Sequence, residues 1–279
     1  AAQLERALAL RPTHLSFNGG GNDMLRPRTS ISHIADAFSQ VLRRCDEEGV
    51  QLILLSGAFQ TAEGGWGLQS FADFFGSTLN REVFWRTFRL GLWVTGISAI
   101  LGYAVALSIV DVSDRAKGRL VAMLVLPLMI SPVARTYAWV VILGKTGIVN
   151  QFLTGTGILD TPARILFSET AIFIGLIQLF FPLMVLPLIS ALENLPRDVV
   201  PAARMLGANW VQVFWKVILP LTREGLVVGG TLVFVGSLTA YVTPAILGGS
   251  KVLMLETLLF QRVAVANDFA AASVIAVIL

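Results

Sequence analysis

From residue 88 onwards, long apolar stretches alternate with short polar ones. Hydropathy predicts membrane helices over residues 88–110, 120–143, 171–192 and 221–247, each reaching about the 20 residues that a bilayer span requires. A further apolar stretch, residues 269–279, has only eleven residues. That is too few to cross about 30 Å of hydrocarbon at ~1.5 Å per residue. We therefore predict a mainly α, polytopic membrane helix bundle whose last helix is truncated at the C-terminus.

The first part of the chain follows a different pattern. Strand-like stretches at residues 13–17 and 50–55 enclose a glycine-rich turn at 18–23 and an amphipathic helix at 32–48. This order predicts a partial α/β fragment over residues 1–57. We assign residues 58–87 to a junction and an external segment, and residues 88–279 to the membrane domain.

Composition supports a membrane protein. Of the 279 residues, 55% are hydrophobic and 14% are charged, against about 25% charged in an ordinary soluble domain. The net charge of +3 comes from loops beside the predicted spans. Nucleic acid is therefore not expected as a partner, whereas the lipid bilayer is.

The loops also predict an orientation. Residues 111–119 carry Arg115, Lys117 and Arg119, and residues 193–220 carry three further basic side chains, so both loops should be cytoplasmic. The loops at 144–168 and 248–268 carry two basic residues each and should face outward. Three arginines before the first span oppose this assignment: Arg81, Arg86 and Arg89.

Polar and aromatic side chains within the spans are candidates for a solute path. They are Arg135, Tyr137, Trp139, Gln178 and Tyr241. Two alternatives stay open, because Tyr137 and Trp139 also suit an interfacial aromatic belt and Gln178 also suits an ordinary interhelical hydrogen bond. Five prolines predict kinks: Pro127, Pro132, Pro182, Pro187 and Pro244.

Residues 201–221 predict two short helices joined by a glycine turn, followed by the next membrane helix from Leu219-Pro220. Ala202 and Ala203 remove bulk from the first helix, so that another protein could approach it. The segment resembles the EAA loop of permeases in binding-protein-dependent ABC importers, although Pro201 replaces the usual Glu. The positions of the resemblance are Ala202, Ala203, Gly207, Val217, Leu219 and Pro220.

Residues 131–143 (SPVARTYAWVVIL), with the following 147–151 (GIVNQ), resemble the spermidine/putrescine-type permeases. The two resemblances imply the ABC importer permease (MetI-like) fold and a multi-pass location in a bacterial inner membrane. They imply a pore for a small organic solute, a polyamine being favoured. They also imply three partners: an ABC ATPase subunit, a second permease subunit and a periplasmic or extracellular solute-binding protein. Because the chain has no Walker A sequence, ATP would be used by the ATPase subunit, and no cofactor is expected on this chain.

The run SFNGGGNDML at residues 16–25 resembles a conserved block of SGNH (GDSL-type) hydrolases. That resemblance would give Gly20 and Asn22 the role of oxyanion donors, here vestigial. A catalytic triad cannot be assembled, because the chain has no Gly-Asp-Ser sequence and no histidine after His33. We expect no enzyme, no catalytic residues and no metal site. The alternative hypothesis is a catalytically incomplete hydrolase fragment fused to membrane helices.

Overall fold

The computed structural model describes residues 14–15, 51–52, 69–196 and 198–279. Its strands are β1 (His14–Leu15) and β2 (Gln51–Leu52). Its helices are α1 (Gln69–Gly76), α2 (Thr78–Val110), α3 (Asp114–Val125), a 3-10 helix (Leu126–Met129), α4 (Pro132–Leu143), α5 (Ile148–Gly155), α6 (Glu169–Glu193), α7 (Val199–Met205), α8 (Trp210–Val213), a π-helix (Phe214–Ile218), α9 (Leu219–Leu221), α10 (Arg223–Leu238), α11 (Val242–Leu247), α12 (Leu255–Ala264) and α13 (Phe269–Ile278). The mainly α class predicted from the sequence is confirmed.

The chain divides into two units, one of residues 1–76 and 262–278 and the other of residues 77–261 with residue 279. In the smaller unit, β1 and β2 pair in parallel, with His14 opposite Gln51 and Leu15 opposite Leu52. These pairs lie inside the two predicted strands. The predicted helix at residues 32–48 and most of the proposed α/β fragment lie outside the described residues. Helices α1 and α13 pack together in this unit.

Helix α6 lies at the centre of the larger unit. Its Met184 and Leu188 are fully buried, and Gly102 of α2 lies against both side chains. Near the other end of the same two helices, Arg86 of α2 pairs with Glu169 of α6. Because both contacts advance along the two sequences in the same direction, α2 and α6 run parallel.

Helix α10 packs against α6 in the opposite direction. Gly225, at the start of α10, lies beside Pro187 and Ala191, near the end of α6. Gly236, near the end of α10, lies against the ring of Phe180, earlier in α6. A Cβ atom built on Gly225 would be 2.6 Å from both the Pro187 carbonyl oxygen and the Ala191 Cβ. Glycine is therefore needed there for the helices to approach this closely.

The predicted spans are only partly continuous. Two helices, α2 and α6, are long and apolar enough to cross a membrane, and the described residues give up to four spans if each of two bent helix pairs is counted as one. Helix α6 matches the prediction for 171–192 closely. Helix α2 begins at Thr78, so the helix extends into the segment assigned to the junction.

The predicted span over 120–143 is not one continuous helix, because it is broken at Pro132, one of the prolines predicted to kink it. The helical segments Asp114–Met129 and Pro132–Gly155 meet at an angle of 94°. Ile130 and Ser131 between them have ψ values of 138° and 130°, which are outside the helical range. A residue before proline is disfavoured in the helical conformation, and Pro132 occupies the first position of α4. This proline therefore accounts for the break.

The predicted span over 221–247 is also interrupted. Helix α10 ends at Leu238 and α11 begins at Val242. Pro244 has no backbone N–H, and in a continuous helix its ring would clash with the carbonyl of Ala240, four residues earlier. By contrast, Pro182 and Pro187 lie within the single helix α6. The kinks predicted at Pro132 and Pro244 are therefore found as helix breaks. The sequence alone does not distinguish these two prolines from Pro182 and Pro187, at which α6 continues.

Two of the three arginines that oppose the predicted orientation, Arg86 and Arg89, belong to an ion-pair cluster. Arg86 Nε donates to Glu169 Oε1 at 3.0 Å, and Arg89 pairs with the other oxygen of the same carboxylate. Arg86 Nη1 also donates to the Leu253 carbonyl at 3.1 Å. Beyond the far end of α2, Lys117 Nζ of α3 lies 2.7 Å from Glu193 Oε1 at the end of α6. The end of the bundle with Arg86 and Arg89 is therefore partly neutralised by Glu169.

Replacing Gly225 with Ala should lower the thermal unfolding midpoint of the purified protein, because the new methyl group would collide with the Pro187 carbonyl. Overpacking of this kind costs about 1–3 kcal/mol. Gly230→Ala is the matched control on the same helix, since its Cβ would meet only Thr95 Cγ2 at 3.8 Å. Thermal unfolding in detergent measures both variants. Equal midpoints for the two would contradict the close contact between α10 and α6.

Candidate functional site

Residues 199–221 form the predicted pair of short helices with a glycine turn between them. Gly207 has a φ of +82°, a conformation that residues with a Cβ rarely adopt. The turn is closed by backbone hydrogen bonds from Gly207 N to Arg204 O and from Ala208 N to Ala203 O. Nothing in the described structure lies within 4 Å of a Cβ built at Gly207. Its requirement for glycine is thus conformational and does not arise from crowding.

The second helix of this loop has a complete N-terminal cap. Asn209 Oδ1 accepts from Gln212 N at 2.9 Å, and Gln212 Oε1 accepts from Asn209 N at 3.0 Å. This reciprocal capping box fixes where the helix begins. The guanidinium of Arg204 lies 5.2 Å from the centre of the Trp210 ring, so a cation–π contact also bridges the turn. The loop is therefore held in shape by its own residues.

The crest of the loop is apolar and exposed. Met205 is 84% exposed and Leu206 is 89% exposed. Such residues at the tip of an otherwise capped and closed turn form a surface suited to a partner protein. The sequence analysis did not single out these two residues, although two consecutive large apolar residues before a turn glycine are a visible signal.

The residues of the EAA-like pattern divide between the two faces of the loop. Ala203, Val217 and Leu219 are half-buried and pack against the core of the membrane unit. Ala202, Gly207 and Pro220 are exposed. Only part of the pattern is thus available for docking, and Ala203 faces the rest of the chain.

The helix containing Leu219 and Pro220 ends at Leu221, and the segment Trp210–Leu221 meets Arg223–Leu238 at 73°. The expectation that Leu219-Pro220 begins the next membrane helix is therefore wrong.

Two of the five candidate path residues touch each other. Trp139 Nε1 on α4 donates to Gln178 Oε1 on α6 at 3.3 Å. Close by in sequence, the hydroxyls of Thr136 on α4 and Thr243 on α11 lie 3.3 Å apart and are buried. Polar side chains therefore connect α4 to α6 and to α11.

The other three path candidates lie apart from that pair. Arg135 Nη1 donates to the Pro127 carbonyl at 2.8 Å, so its guanidinium turns back towards the 3-10 helix before the break. Tyr137 is 58% exposed. The Tyr241 ring packs on Phe260 of α12, with ring centres 4.9 Å apart. Only Trp139 and Gln178 are thus joined directly, and a path role for all five remains a prediction.

The sequence analysis missed a carboxylate on α12, the helix whose Phe260 ring packs on Tyr241. Glu256 is four residues before Phe260 on α12, so the two side chains share a helix face. Burial raises the pKa of the Glu256 carboxyl above its usual value. Within the described part of the chain this carboxylate has no hydrogen-bond or ion-pair partner. A half-buried carboxylate on the same helix face as an aromatic ring is a chemical environment suited to an ammonium group.

Two further predictions concern a vestigial oxyanion site and a metal site. Gly20 and Asn22, the proposed vestigial oxyanion donors, lie outside the described residues. Among the residues that the structure does describe, no three His, Cys, Asp or Glu side chains are grouped so that they could hold a metal ion. The loop at residues 199–221 and the polar contacts that join α4 to α6 and α11 are candidate functional features of the described residues.

Comparison with known proteins points to one class. Residues 118–279 match the family described as binding-protein-dependent transport system inner membrane component. The chain is 32% identical over 232 residues to the spermidine/putrescine transport system permease protein PotB of Haemophilus influenzae, covering 81% of each protein. It is 33% identical over 174 residues to PotB of Escherichia coli, covering 62% of this chain and 63% of that one. These relatives are transport proteins and give no support to the hydrolase resemblance of residues 1–57.

The fold has a relative among solved structures. A chain from the crystal structure of a bacterial alginate ABC transporter, in complex with an alginate pentasaccharide-bound periplasmic protein, superimposes with a TM-score of 0.66. The match covers 89% of this chain and 90% of that chain at 17% identity. At that identity the similarity establishes the fold. The fold of this chain is thus one that occurs in an ABC transporter.

Proposed function

Because the chain belongs to the binding-protein-dependent transport system inner membrane components and is a pore-forming permease of an importer, we propose that its solute is a polyamine. The observation that carries the proposal is the similarity to spermidine/putrescine permeases across 81% of the chain.

The chemistry of the site supports a cationic solute. The Tyr241 and Phe260 rings offer π faces, and Glu256, on the same side of α12 as Phe260, offers a carboxylate that has no partner among the described residues. A polyamine has several ammonium groups separated by methylene chains, so it matches both the rings and the carboxylate. Arg135 would repel such a solute if it faced the path. Its guanidinium instead lies on the Pro127 carbonyl, which directs the positive charge into the break between two helices.

We assign energy coupling to the loop around Gly207. A separate ABC ATPase would bind the exposed crest of Met205 and Leu206, and its closing motion would move the loop as a rigid unit. ATP would be used by that subunit. The complete importer would also contain a second permease subunit and a solute-binding protein, which delivers the solute at the opposite membrane surface. The permease would then open alternately to the two sides.

Replacing Gly207 with Val should uncouple ATP hydrolysis from solute uptake. A β-branched residue resists a φ of +82°, so the turn must rearrange even though the site is uncrowded. The matched control is Gly157→Val, because Gly157 has a φ of +73° and also has nothing within 4 Å, but lies outside the loop. ATPase rate and uptake are measured in liposomes containing the full importer. If both variants transport normally, the coupling role of the loop is refuted.

Uptake should depend on the ionisation of Glu256. Its pKa is raised, so protonation begins at a higher pH than for an exposed glutamate, and the neutral acid attracts a cation less. Lowering the external pH through that range should reduce uptake. Glu256→Gln should reduce uptake at neutral pH and abolish the pH response, whereas Asp160→Asn, at an exposed position in another loop, should do neither. An unchanged pH profile in Glu256→Gln would remove this residue from the solute site.

The importer assembled with its binding protein and ATPase should take up labelled putrescine or spermidine. Excess unlabelled polyamine should compete, and a transporter with an inactive ATPase should not accumulate the label. Import of an anionic or metal-bound solute without polyamine uptake would contradict the cationic solute and leave the permease assignment intact.

A further inference from the structure

A buried hydrogen bond joins α2 to the bend that follows the loop. The hydroxyl oxygens of Tyr103 on α2 and Thr222 between α9 and α10 are 2.9 Å apart. Thr222 is fully buried and Tyr103 is 5% exposed. The two residues are far apart in sequence, so this contact links separate parts of the membrane unit.

The direction of the hydrogen bond follows from the other bond that Thr222 makes. Thr222 Oγ1 lies 2.7 Å from the Ile218 carbonyl, to which it can only donate. Having used its one proton there, the Thr222 hydroxyl accepts from the Tyr103 hydroxyl. Thr222 is thus connected both to the helix that ends the loop and to α2.

Thr222 also occupies the mechanical break in this region. It has φ −101° and ψ 10°, outside the helical range, and the helices on either side of it meet at 73°. A bend at one residue is a point where a rigid loop can change its angle to a membrane helix. Any such change moves the Thr222 side chain and the bond that it makes.

Tyr103 holds the loop at a second point. Its ring lies edge-on to Phe214, with ring centres 5.3 Å apart. Phe214 opens the π-helix of the loop, and Thr222 follows the end of the same helical segment. The Tyr103 side chain therefore contacts the loop at two points, at Phe214 within its second helix and at Thr222 just past the end of that helix. The adjacent residue, Gly102, is the position where α2 packs on Met184 and Leu188 of α6.

We propose that Tyr103 and Thr222 form the joint through which movement of the coupling loop reaches α2. The proposal rests on the coupling function assigned above. Tyr103 acts as a positioning residue that touches neither ATP nor solute. When the ATPase moves the loop, the Tyr103–Thr222 bond makes α2 follow the bend. Without the bond, the loop can move while α2 remains in place, and ATP is hydrolysed without a full transport step.

The test removes the two hydroxyl groups separately in the complete importer in liposomes. Tyr103→Phe keeps the ring contact with Phe214, and Thr222→Val keeps the side-chain shape. Each should lower the amount of polyamine imported per ATP hydrolysed by about three- to tenfold, the factor expected for one buried hydrogen bond. The double variant should be no worse than either single variant, because both remove the same bond. Assembly and binding-protein-stimulated ATPase should remain near the unmodified level.

Thr95→Val is the matched control. The Thr95 hydroxyl donates to the Gly91 carbonyl one turn earlier, as that of Thr222 does to Ile218, but the described structure gives it no partner on another helix. Thr95→Val should therefore leave the amount of polyamine imported per ATP hydrolysed unchanged. An unchanged ratio in both Tyr103→Phe and Thr222→Val would refute the joint. A fall in uptake, ATPase and thermal stability together, at a constant ratio, would also refute it by showing a structural role alone.

The failure of this proposal can be told apart from failure of the coupling assignment. If Gly207→Val uncouples the importer and Tyr103→Phe does not, the joint is wrong and the loop keeps its role. If Gly207→Val retains full coupling, the loop assignment fails, and the proposed joint fails with it.

Discussion

The close packing of α2 and α10 on α6 is the constraint on which the rest of the membrane unit depends. Lipid tails are as apolar as leucine side chains, so helices in a bilayer gain little from burying apolar surface and associate through tight packing instead. Here Gly102 of α2 and Gly225 and Gly236 of α10 remove side chains where the backbones approach α6. These glycines allow α2 and α10 to pack closely on α6, whose Met184 and Leu188 side chains are fully buried. The same contacts show in which direction each of the three helices runs.

Around these packed helices, the helix breaks lie where other protein groups form hydrogen bonds with the backbone or lie close to it. Unpaired backbone polar groups are costly in hydrocarbon, so broken helices are tolerated only where neighbours or water supply partners. Arg135 supplies a donor to the Pro127 carbonyl at the first break, and Thr136 meets Thr243 beside the second. The polar contacts thus lie where the spans are broken.

The sequence predicted the parts that depend on local chemistry. The glycine turn was predictable because only glycine adopts a φ of +82° readily, and the spans were predictable because hydrophobic length is a property of the segment alone. The sequence could not distinguish Pro187, which the long helix α6 retains, from Pro244, which separates α10 from α11. Both lose the same donor, and only the tertiary surroundings decide whether the helix continues. The contacts of Tyr103, like the lack of a partner for Glu256 among the described residues, depend on packing between distant segments and were not visible in any motif.

The measurement that tests the central claim most directly is cross-linking of the loop crest to the ATPase in the assembled importer. The chain has one cysteine, Cys45, which can be replaced by serine before a single new cysteine is introduced. A photoreactive label is attached to the cysteine of Leu206→Cys, which lies on the crest. In a second variant the label is attached to the cysteine of Ile158→Cys, which lies at an exposed apolar site outside the loop. We predict a cross-link to the ATPase subunit from position 206 and none from position 158. Absence of a cross-link from position 206, or an equal yield from position 158, would contradict the account.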